Sequence, residues 1–471
     1  MIGIDGLEPL FVECLVRSGR SKGFSFFLEN GAYALLKSTF LPDTFLAWPT
    51  IYTGLLPYHF GLKPEPENPV VLKVDSLRVR NMLIGKTFWD IASKKGKKVC
   101  IVNSIFAYPP WKVNGVMVSG PSFGLKGQTL SEPPRDDISV YRVGMYSLTP
   151  LLSYEYHKTY SEAIEQLKDV FLLAYKLFNE DSYDLMFVAD YTLDRIEHYY
   201  WRFNDPKDPL CPKFINSFRN AIDDYYKILD HILSLFIEKF SDEYTIVVLG
   251  DHGHTRRPLK LISIDKIINP KLRNHYSSSE VIRLVGMLFT HYTKIDNILY
   301  WFLKRFQEKG FIGRILLKEN RNSHPLLIES IKEFGLKEYI GLKIRSDCPD
   351  LVVSKLREIL AKTEIVEEVF TPYEYYEVSS FREFPADIFV KLKGLGNMQS
   401  AKSFLVLPNF TRRIVSGGHG MYSMLLIRDP NRRIHLRKTP VRVQDIAPSV
   451  LNILGIRTEH HFDGVNVVNY E

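Results

Sequence analysis

The stretch LMFVADYTLDRIEHYYW, residues 185–201, places two candidate metal ligands just after a buried strand. Its first five residues are apolar, which is typical of a strand covered on both faces. Asp194 and His198 follow, and a spacing of four on a helix would bring both side chains to one face. Such a pair could bind one metal ion, but alone it is far more typical of an aspartate at a helix start and a packed histidine. The other strand ends decide between these interpretations.

Three further strand ends carry residues of the same types. MIGIDGL ends a strand at Asp5, IVVLGDHGH ends one at Asp251 and His252, and VSGGHGMYS carries His419 in a glycine-rich loop. Each has an ordinary alternative, such as a helix cap, a packed histidine or a plain turn. In an α/β sheet, however, the loops after the carboxyl ends of the strands converge on one crevice. Three aspartates and three histidines exceed what one tetrahedral zinc can hold, so we expect two divalent ions, Zn²⁺ or else Mn²⁺.

A threonine-rich segment supplies candidate nucleophiles for such a site. Paired ions stabilise the attacking and leaving oxygens of phosphoryl transfer, so the expected substrate is an anionic phosphate ester. LPDTFLAWPTIYTG offers Thr44, Thr50 and Thr53. A threonine hydroxyl is a weak nucleophile until a metal lowers its pKa, so the reacting threonine must reach an ion. Spacing alone does not choose among the three.

Short β-rich runs alternate with amphipathic helical stretches along most of the chain. This pattern predicts an α/β protein, with a mainly parallel sheet covered by helices on both sides. The runs are MIGID, KKVCIVNS, DLMFVAD, YTIVVLGD, ADIFVKL and SMLLIRD. Residues 256–380 are more basic and mostly helical in pattern, and ADIFVKL then resumes the core pattern. We therefore predict a core of residues 1–255 and 381–471 with a mostly helical cap domain, 256–380, inserted over the site. A peripheral extension remote from the site is the alternative.

Composition restricts the class of protein. The chain has 471 residues, 45% of them hydrophobic, yet its apolar runs are far too short to cross a bilayer, and the N-terminus lacks a signal-peptide pattern. Four scattered cysteines without a CxxC spacing argue against disulfides and a thiolate zinc site, so we expect a cytoplasmic protein without a membrane partner. Residues 255–345 hold 18 Lys and Arg against 8 Asp and Glu. This surplus could attract an anionic substrate or nucleic acid, or belong to solvated helix faces.

The order of the motifs resembles one known family. The chain is similar, over residues 1–255 and 380–471, to the type I phosphodiesterase and nucleotide pyrophosphatase branch of the alkaline phosphatase superfamily. The motifs are GIDGL, YTGLLPYHFG, DRIEHYYW, GDHG, GGHG, TPVRVQDIAPSVLNILGI and FDGVNV. Within this superfamily, TFLAWPTIYTG and GKKVCIVNSIFAYPPWKVNGVMVSGPS most resemble archaeal predicted phosphohydrolases or phosphomutases. The resemblance implies an alkaline phosphatase-like three-layer sandwich and a two-metal hydrolase of phosphodiesters or nucleotide-like esters that forms a phosphothreonine.

The resemblance also implies a role for each site residue. Thr44 occupies the nucleophile position, nine residues before Thr53, so Thr50 and Thr53 become structural. One metal is assigned to Asp5, Thr44, Asp251 and His252, and the other to Asp194, His198 and His419.

One position departs from the family pattern. Many relatives have a phosphate-binding asparagine three residues after the nucleophile, where this chain has Ala47. A backbone amide after Thr44, or a Lys or Arg of the cap, must then serve that oxygen. Glu197 and His254 are expected to lie behind the ligands or at the surface.

Two rival functions remain compatible with the sequence. A phosphomutase or phosphotransferase would form the same intermediate but return the phosphate to another hydroxyl, which a cap that excludes water would favour. A basic nucleic-acid-binding protein on the same fold would use the cap alone. The complete set of candidate ligands argues against this last alternative, so we do not expect a nucleic-acid partner.

Overall fold

The computed structural model describes most of the chain outside the predicted cap. The described residues are 1–62, 75–121, 125–145, 150, 155–208, 211–257, 260–263, 328–334, 339–344, 353–354, 357–358, 366–376, 386–392, 397–399, 406–408, 415–437 and 439–471. In this part of the chain, no helix combines the length and apolar character needed to cross a membrane.

Helices and strands alternate through the first half of the chain. The helices are α1 (Pro9–Arg17), α2 (Gly23–Asn30), α3 (Thr44–Thr53), α4 (Ser76–Leu83), α5 (Phe88–Lys94), α6 (Glu155–Glu180), α7 (Thr192–Asn204), α8 (Ala221–Phe240), α9 (Pro372–Tyr376) and α10 (Ile446–Ile453), with short 3-10 helices at Pro57–Phe60, Asp136–Ile138 and Val443–Asp445. The strands are β1 (Ile2–Ile4), β2 (Ala32–Lys37), β3 (Val99–Val102), β4 (Gly115–Ser119), β5 (Leu130–Glu132), β6 (Leu185–Asp190), β7 (Ile246–Leu249), β8 (Gly253–Arg256), β9 (Lys260–Ser263), β10 (Ile328–Phe334), β11 (Tyr339–Ile344), β12 (Val366–Phe370), β13 (Ile388–Leu392), β14 (Asn397–Gln399), β15 (Val406–Pro408), β16 (Gly417–Gly420), β17 (Tyr422–Arg428), β18 (Ile434–Leu436), β19 (Val441–Arg442) and β20 (Val468–Tyr470).

A nine-stranded sheet forms the centre of the molecule, in the order β19-β2-β17-β7-β1-β6-β3-β4-β5. The inner strands β7, β1, β6, β3 and β4 run parallel to their neighbours within this group. Strand β17 is antiparallel to both β7 and β2, and β5 is antiparallel to β4. The mainly parallel α/β sheet predicted from the sequence is therefore confirmed.

Strand β6 shows why the sheet is covered on both faces. Its side chains alternate between two hydrophobic clusters: Met186 and Val188 join one, whereas Leu185, Phe187 and Ala189 join the other. Residues of α1, α2, α6, α7 and α8 complete the first cluster, and residues of α3, α5 and α10 complete the second. A strand that buries both faces must be apolar at every position, as LMFVA is. The result is the predicted three-layer sandwich.

The region predicted as a cap contains a second sheet. Strands β10, β11, β13 and β12 form an antiparallel sheet in that order, separate from the central one. The prediction that ADIFVKL resumes the core is therefore wrong, because Ile388–Leu392 pairs with β11 and β12. An apolar strand of that length fits either sheet, and only its partners distinguish them. The helical pattern of residues 278–310 lies outside the described residues, and the predicted domain limits stay a prediction.

The second sheet packs on the chain segment that leads into α3. Phe40, four residues before Thr44, is fully buried in a cluster that includes side chains of β11, β12 and β13. Its ring contacts the rings of Tyr339, Phe370 and Phe389 with centroid distances of 5.3, 4.9 and 4.5 Å. The start of α3 is thus held between the two sheets.

Candidate active site

The topology brings the predicted residues to one edge of the central sheet. Asp5 follows β1, Asp251 follows β7, and α7 with Asp194 follows β6, all at the carboxyl ends of neighbouring parallel strands. Strand β17 runs antiparallel to β7, so the residues just before it arrive at the same edge. His419 is among them. It lies in strand β16, which pairs with β8, and the expectation of a glycine-rich loop there is wrong.

The first group of side chains surrounds the ring of His252. The Nε2 atom of His252 lies 3.4 Å from Asp5 Oδ1, 3.4 Å from Asp251 Oδ2 and 3.3 Å from Thr44 Oγ1. Thr44 Oγ1 also lies 3.3 Å from Asp5 Oδ1. Ligands of a tetrahedral ion with bonds of about 2.1 Å stand about 3.4 Å apart. These four buried side chains therefore fit one divalent ion.

The second group surrounds one oxygen of Asp194. Asp194 Oδ1 lies 3.2 Å from His198 Nε2 and 3.6 Å from His419 Nε2, and the two Nε2 atoms are 3.0 Å apart. The i, i+4 spacing on α7 brings Asp194 and His198 together, as predicted. The separations match those expected around a second ion.

Backbone carbonyls orient the three imidazole rings. The Nδ1 atom of His198 lies 3.1 Å from the Gly417 oxygen, that of His252 3.0 Å from the Gly253 oxygen, and that of His419 2.7 Å from the Pro42 oxygen. A carbonyl can only accept, so each Nδ1 carries the proton. Each Nε2 then offers its lone pair to the site, which is the usual arrangement behind metal-binding histidines.

Hydrogen bonds also orient two carboxylates of the first group. The indole N–H of Trp48 donates to Asp5 Oδ2 over 3.1 Å, and the backbone N–H of Gly6 donates to Asp251 Oδ1 over 3.2 Å. The other oxygen of each aspartate faces His252. Both aspartates therefore use one oxygen for orientation and present one to the candidate ion.

Burial alters the pKa values of the ligands in the metal-free site. Burial, with the nearby charges of Asp251 and Asp194, holds the pKa of Asp5 well above its usual range. Burial also raises the pKa of Asp251 to about 8. The pKa of Asp194 moves the other way: burial opposes its ionisation, but His198, His419 and Arg195 hold it well below its usual range. Of the three aspartates, Asp194 is the one that forms an ion pair with an arginine in the described part of the chain, with Arg195 Nε 3.8 Å from its Oδ2.

Burial shifts the pKa values of two of the histidines in the direction that favours the neutral ring. Burial lowers the pKa of His198, and holds that of His252 well below its usual range, with His419 adding to the effect. Neutral imidazole is the form that binds metals. The site thus combines ring nitrogens that can bind a metal with two buried carboxylates, Asp5 and Asp251, that form no ion pair with a Lys or Arg of the described residues. This is the charge pattern of a divalent metal site.

Helix α3 presents Thr44 to the first group. The helix begins at Thr44 because Asp43 caps it, with Asp43 Oδ1 accepting from the Phe45 N–H over 2.8 Å. A helix N-terminus favours negative charge, so it would stabilise a deprotonated hydroxyl there. The hydroxyls of Thr50 and Thr53 donate instead to carbonyls within the helix, at 2.8 and 2.7 Å. Of the three threonines, only Thr44 reaches the candidate ligands.

Of the two positions expected for Glu197 and His254, behind the ligands or at the surface, the structure gives the first. His254 is fully buried, with Nδ1 3.1 Å from Glu197 Oε2 and 3.8 Å from Asp194 Oδ1. Its ring nitrogens, with those of His198 and the oxygens of Asp194, form another group spaced as metal ligands. A signal existed in the sequence: Glu197 lies one helical turn from Asp194, and His254 alternates with His252 along an extended chain. Their burial depends on β16 and α7, which the sequence pattern does not place side by side.

Comparison with known families agrees with this geometry. The family model described as type I phosphodiesterase/nucleotide pyrophosphatase matches residues 1–353. The chain belongs to this family. It is an enzyme, a metal-dependent hydrolase of the phosphodiesterase and nucleotide pyrophosphatase class, and its family uses divalent metals.

Two solved structures are similar to this chain over nearly its whole length. Phosphonoacetate hydrolase from Sinorhizobium meliloti 1021, in complex with phosphonoacetate, is 14% identical with a TM-score of 0.50, and the match covers 96% of this chain and 94% of that one. Human ectonucleotide pyrophosphatase/phosphodiesterase 5 is 13% identical with a TM-score of 0.49, covering 98% and 96% of the two chains. The fold is alkaline phosphatase-like, as expected from the resemblance. No curated protein matches the sequence.

Proposed function

We propose that this protein hydrolyses a phosphodiester or nucleotide-like phosphate ester with two divalent ions and Thr44 as nucleophile. The observation that supports it best is the spacing of the two ligand groups, 3.3–3.4 Å around His252 and 3.0–3.6 Å around Asp194. The proposed ligands are Asp5, Thr44, Asp251 and His252 for one ion, and Asp194, His198 and His419 for the other. Nitrogen and oxygen donors without thiolate suit Zn²⁺, with Mn²⁺ as the alternative.

In the proposed reaction, Thr44 forms and then loses a bond to phosphorus. When bound, the ions would lower the pKa of the Thr44 hydroxyl and stabilise charge on the attacking and leaving oxygens. The Thr44 oxygen attacks phosphorus as the bond to the leaving alcohol breaks, and this gives a phosphothreonine. Water then attacks phosphorus and the bond to Thr44 breaks, which releases phosphate or its monoester. The capped start of α3 holds Thr44 in line throughout.

The surrounding chain supports two further proposals. Residues 256–380, together with β13, would form a cap whose sheet touches the segment before Thr44 through Phe40. Such a cap would select the substrate and limit access of water. The scattered cysteines favour action in the cytoplasm, where thiols stay reduced.

Turnover of model esters by metal-defined protein tests the proposed function. Chelator-treated protein should be inactive on bis-p-nitrophenyl phosphate and p-nitrophenyl phosphate and regain activity with Zn²⁺ or Mn²⁺. A tris buffer, whose alcohol can accept phosphate, would reveal a phosphotransferase as phosphorylated tris instead of free phosphate. Full activity without bound metal would contradict the proposal.

A further inference from the structure

Arg195 places a cationic side chain at the edge of the candidate site. It follows Asp194 on α7, and its Nε lies 3.8 Å from Asp194 Oδ2. The Asp194 side chain is 3% exposed, whereas that of Arg195 is 30% exposed, so the guanidinium lies between the buried ligands and solvent. It also interacts electrostatically with Asp5 and with Asp43, the cap of the helix that begins at Thr44.

Within the described part of the chain, the fold uses the guanidinium only in an ion pair with Asp194. A distance of 3.8 Å to Asp194 is an ion pair without a hydrogen bond. Its five N–H donors make no hydrogen bond to any residue in the described part of the chain. A planar fork of donors of this kind matches the oxygens of a phosphoryl group.

The backbone amides considered for this role are occupied. The N–H of Phe45 donates to Asp43 Oδ1, and the N–H groups of Leu46 and Ala47 donate to the Asp43 carbonyl at 3.0 and 2.9 Å. These are the backbone amides that follow Thr44.

The basic residues at the start of the cap are likewise engaged. Arg256 pairs with Asp205 at 3.2 Å, and Arg257 donates to the Val415 carbonyl at 3.1 Å. They are already bound to other groups, whereas Arg195 retains its donors.

The geometry points to Arg195 as the residue that binds a non-bridging oxygen of the substrate's phosphoryl group, in place of the side chain absent at Ala47. This inference rests on the proposed function, since it assumes that Thr44 attacks a phosphate ester. A cation there would also offset the repulsion between an anionic substrate and the carboxylates of the site. The side chain comes from the residue next to a proposed ligand, so phosphate and metal would be positioned by the same turn of α7.

Binding of inorganic phosphate to zinc-loaded protein tests the inference without requiring turnover. Titration calorimetry should show Arg195→Ala binding phosphate about 10- to 100-fold more weakly than wild type, with metal content retained, as expected for a lost charge-assisted hydrogen bond. Arg195→Lys keeps the charge but not the fork, so its affinity should lie between the two. Added guanidinium chloride, at concentrations that do not unfold the protein, should partly restore phosphate binding to Arg195→Ala. Arg17→Ala removes one exposed positive charge on α1 and serves as the matched control.

Three results would overturn the inference. Phosphate affinity of Arg195→Ala within twofold of wild type at full metal content would show that the guanidinium does not touch the anion. Loss of metal from both Arg195→Ala and Arg195→Lys would assign the residue to holding Asp194. If zinc-loaded wild-type protein bound no phosphate, the anion that Arg195 is inferred to bind would not enter the site. Failure of ester hydrolysis with intact, Arg195-dependent phosphate binding would instead count against the proposed reaction alone.

Discussion

At the scale of single residues, a ligand side chain has two polar atoms. One forms a hydrogen bond within the fold, and the other faces the candidate ion. Asp5 Oδ2 accepts a hydrogen bond from the Trp48 indole, and His419 Nδ1 donates one to the Pro42 carbonyl. The residue types and their order along the chain are visible in the sequence. The partners are not, because Trp48 and Pro42 approach the site only after α3 docks on the sheet. A prediction from sequence therefore finds the ligands but not the atoms that orient them.

Replacing Thr44 tests the nucleophile. Thr44→Ala should lower turnover of bis-p-nitrophenyl phosphate by about a thousandfold or more, because a covalent route divides one difficult displacement into two easier ones. Asp5, Asp251 and His252 remain, so much of the metal content should be retained. Thr44→Ser should keep measurable turnover, since it loses only the methyl group that restricts the rotamer.

Thr50→Ala is the matched control for Thr44. Its hydroxyl donates to the Leu46 carbonyl inside α3, so its removal should affect stability more than chemistry. If Thr50→Ala abolished turnover while Thr44→Ala stayed near wild type, the assignment of the nucleophile would have to be abandoned.

Replacing His419 tests the division of ligands between two ions. Its Nε2 faces Asp194 and His198, so His419→Ala should reduce zinc from about two equivalents to about one when measured by mass spectrometry of the dialysed protein. His435→Ala, which removes a half-exposed histidine paired with Glu471, is the control and should keep both. Equal loss from both sites, or no loss, would contradict the assignment. If no zinc is lost, His254 would be the first replacement ligand to examine, because it already lies beside Asp194 and His198.

At the scale of secondary structure, strand β16 and helix α7 build the second ligand group together. The N–H of Ser416 donates to the His198 carbonyl over 2.8 Å, and the Gly417 carbonyl lies 3.1 Å from His198 Nδ1. A side chain at Gly417 would prevent this approach, since a Cβ atom built there lies 2.3 Å from the Glu197 carbonyl oxygen. Gly417 of VSGGHG is thus explained by close packing of a strand on a helix, and not by a turn. Sequence alone does not separate these two uses of glycine.

Adding one methyl group at Gly417 tests this packing. Gly417→Ala should destabilise the metal-free protein by about 1–3 kcal/mol, because the helix backbone has to move away from the strand. It should also weaken zinc binding, since His198 moves with the helix. At Gly420 the nearest atom to a built Cβ is 3.1 Å away, so Gly420→Ala should cost less in both respects. Urea unfolding and zinc titration of the two variants give the comparison, and equal behaviour would argue against the contact.

At the scale of the whole molecule, the predicted mainly parallel central sheet is found in the structure, whereas the predicted cap is only partly described and its limits stay a prediction. The strands of the core could be predicted because LMFVA, TIVVL and SMLLI are each apolar at nearly every position, which a two-sided sheet requires. The same rule misassigned ADIFVKL, whose β13 strand is buried in a second sheet. The positions of Arg195 and His254 in the site were not predicted for another reason: each is ordinary in its local sequence and becomes distinctive only through its place beside Asp194. Local pattern thus predicts the fold, whereas the contents of the site depend on contacts between distant segments.

The buried carboxylates of the site should make the stability of the whole molecule depend on metal and pH together. Burial raises the folded-state pKa of Asp5 and raises that of Asp251 to about 8, so folding favours their protonated forms. The stability that this protonation provides is complete below the unfolded pKa near 3.8 and is lost as pH rises through the folded pKa of Asp251, about 8. The metal-free protein should therefore become less stable from pH 5 to pH 8. Metal needs the deprotonated carboxylates, so its stabilising effect should grow over the same interval.

Melting temperatures of the same preparation with excess Zn²⁺ and with chelator, at pH 5 and pH 8, measure this coupling. The increase caused by zinc should be small at pH 5 and clearly larger at pH 8. Asp251→Asn provides the matched comparison, because it has no charge to bury and one fewer strong ligand. Without metal it should melt above wild type at pH 8, and it should gain less from zinc. An increase that is equal at the two pH values, or larger at pH 5, would mean that the ions do not neutralise these buried carboxylates, and the first metal site would have to be placed elsewhere.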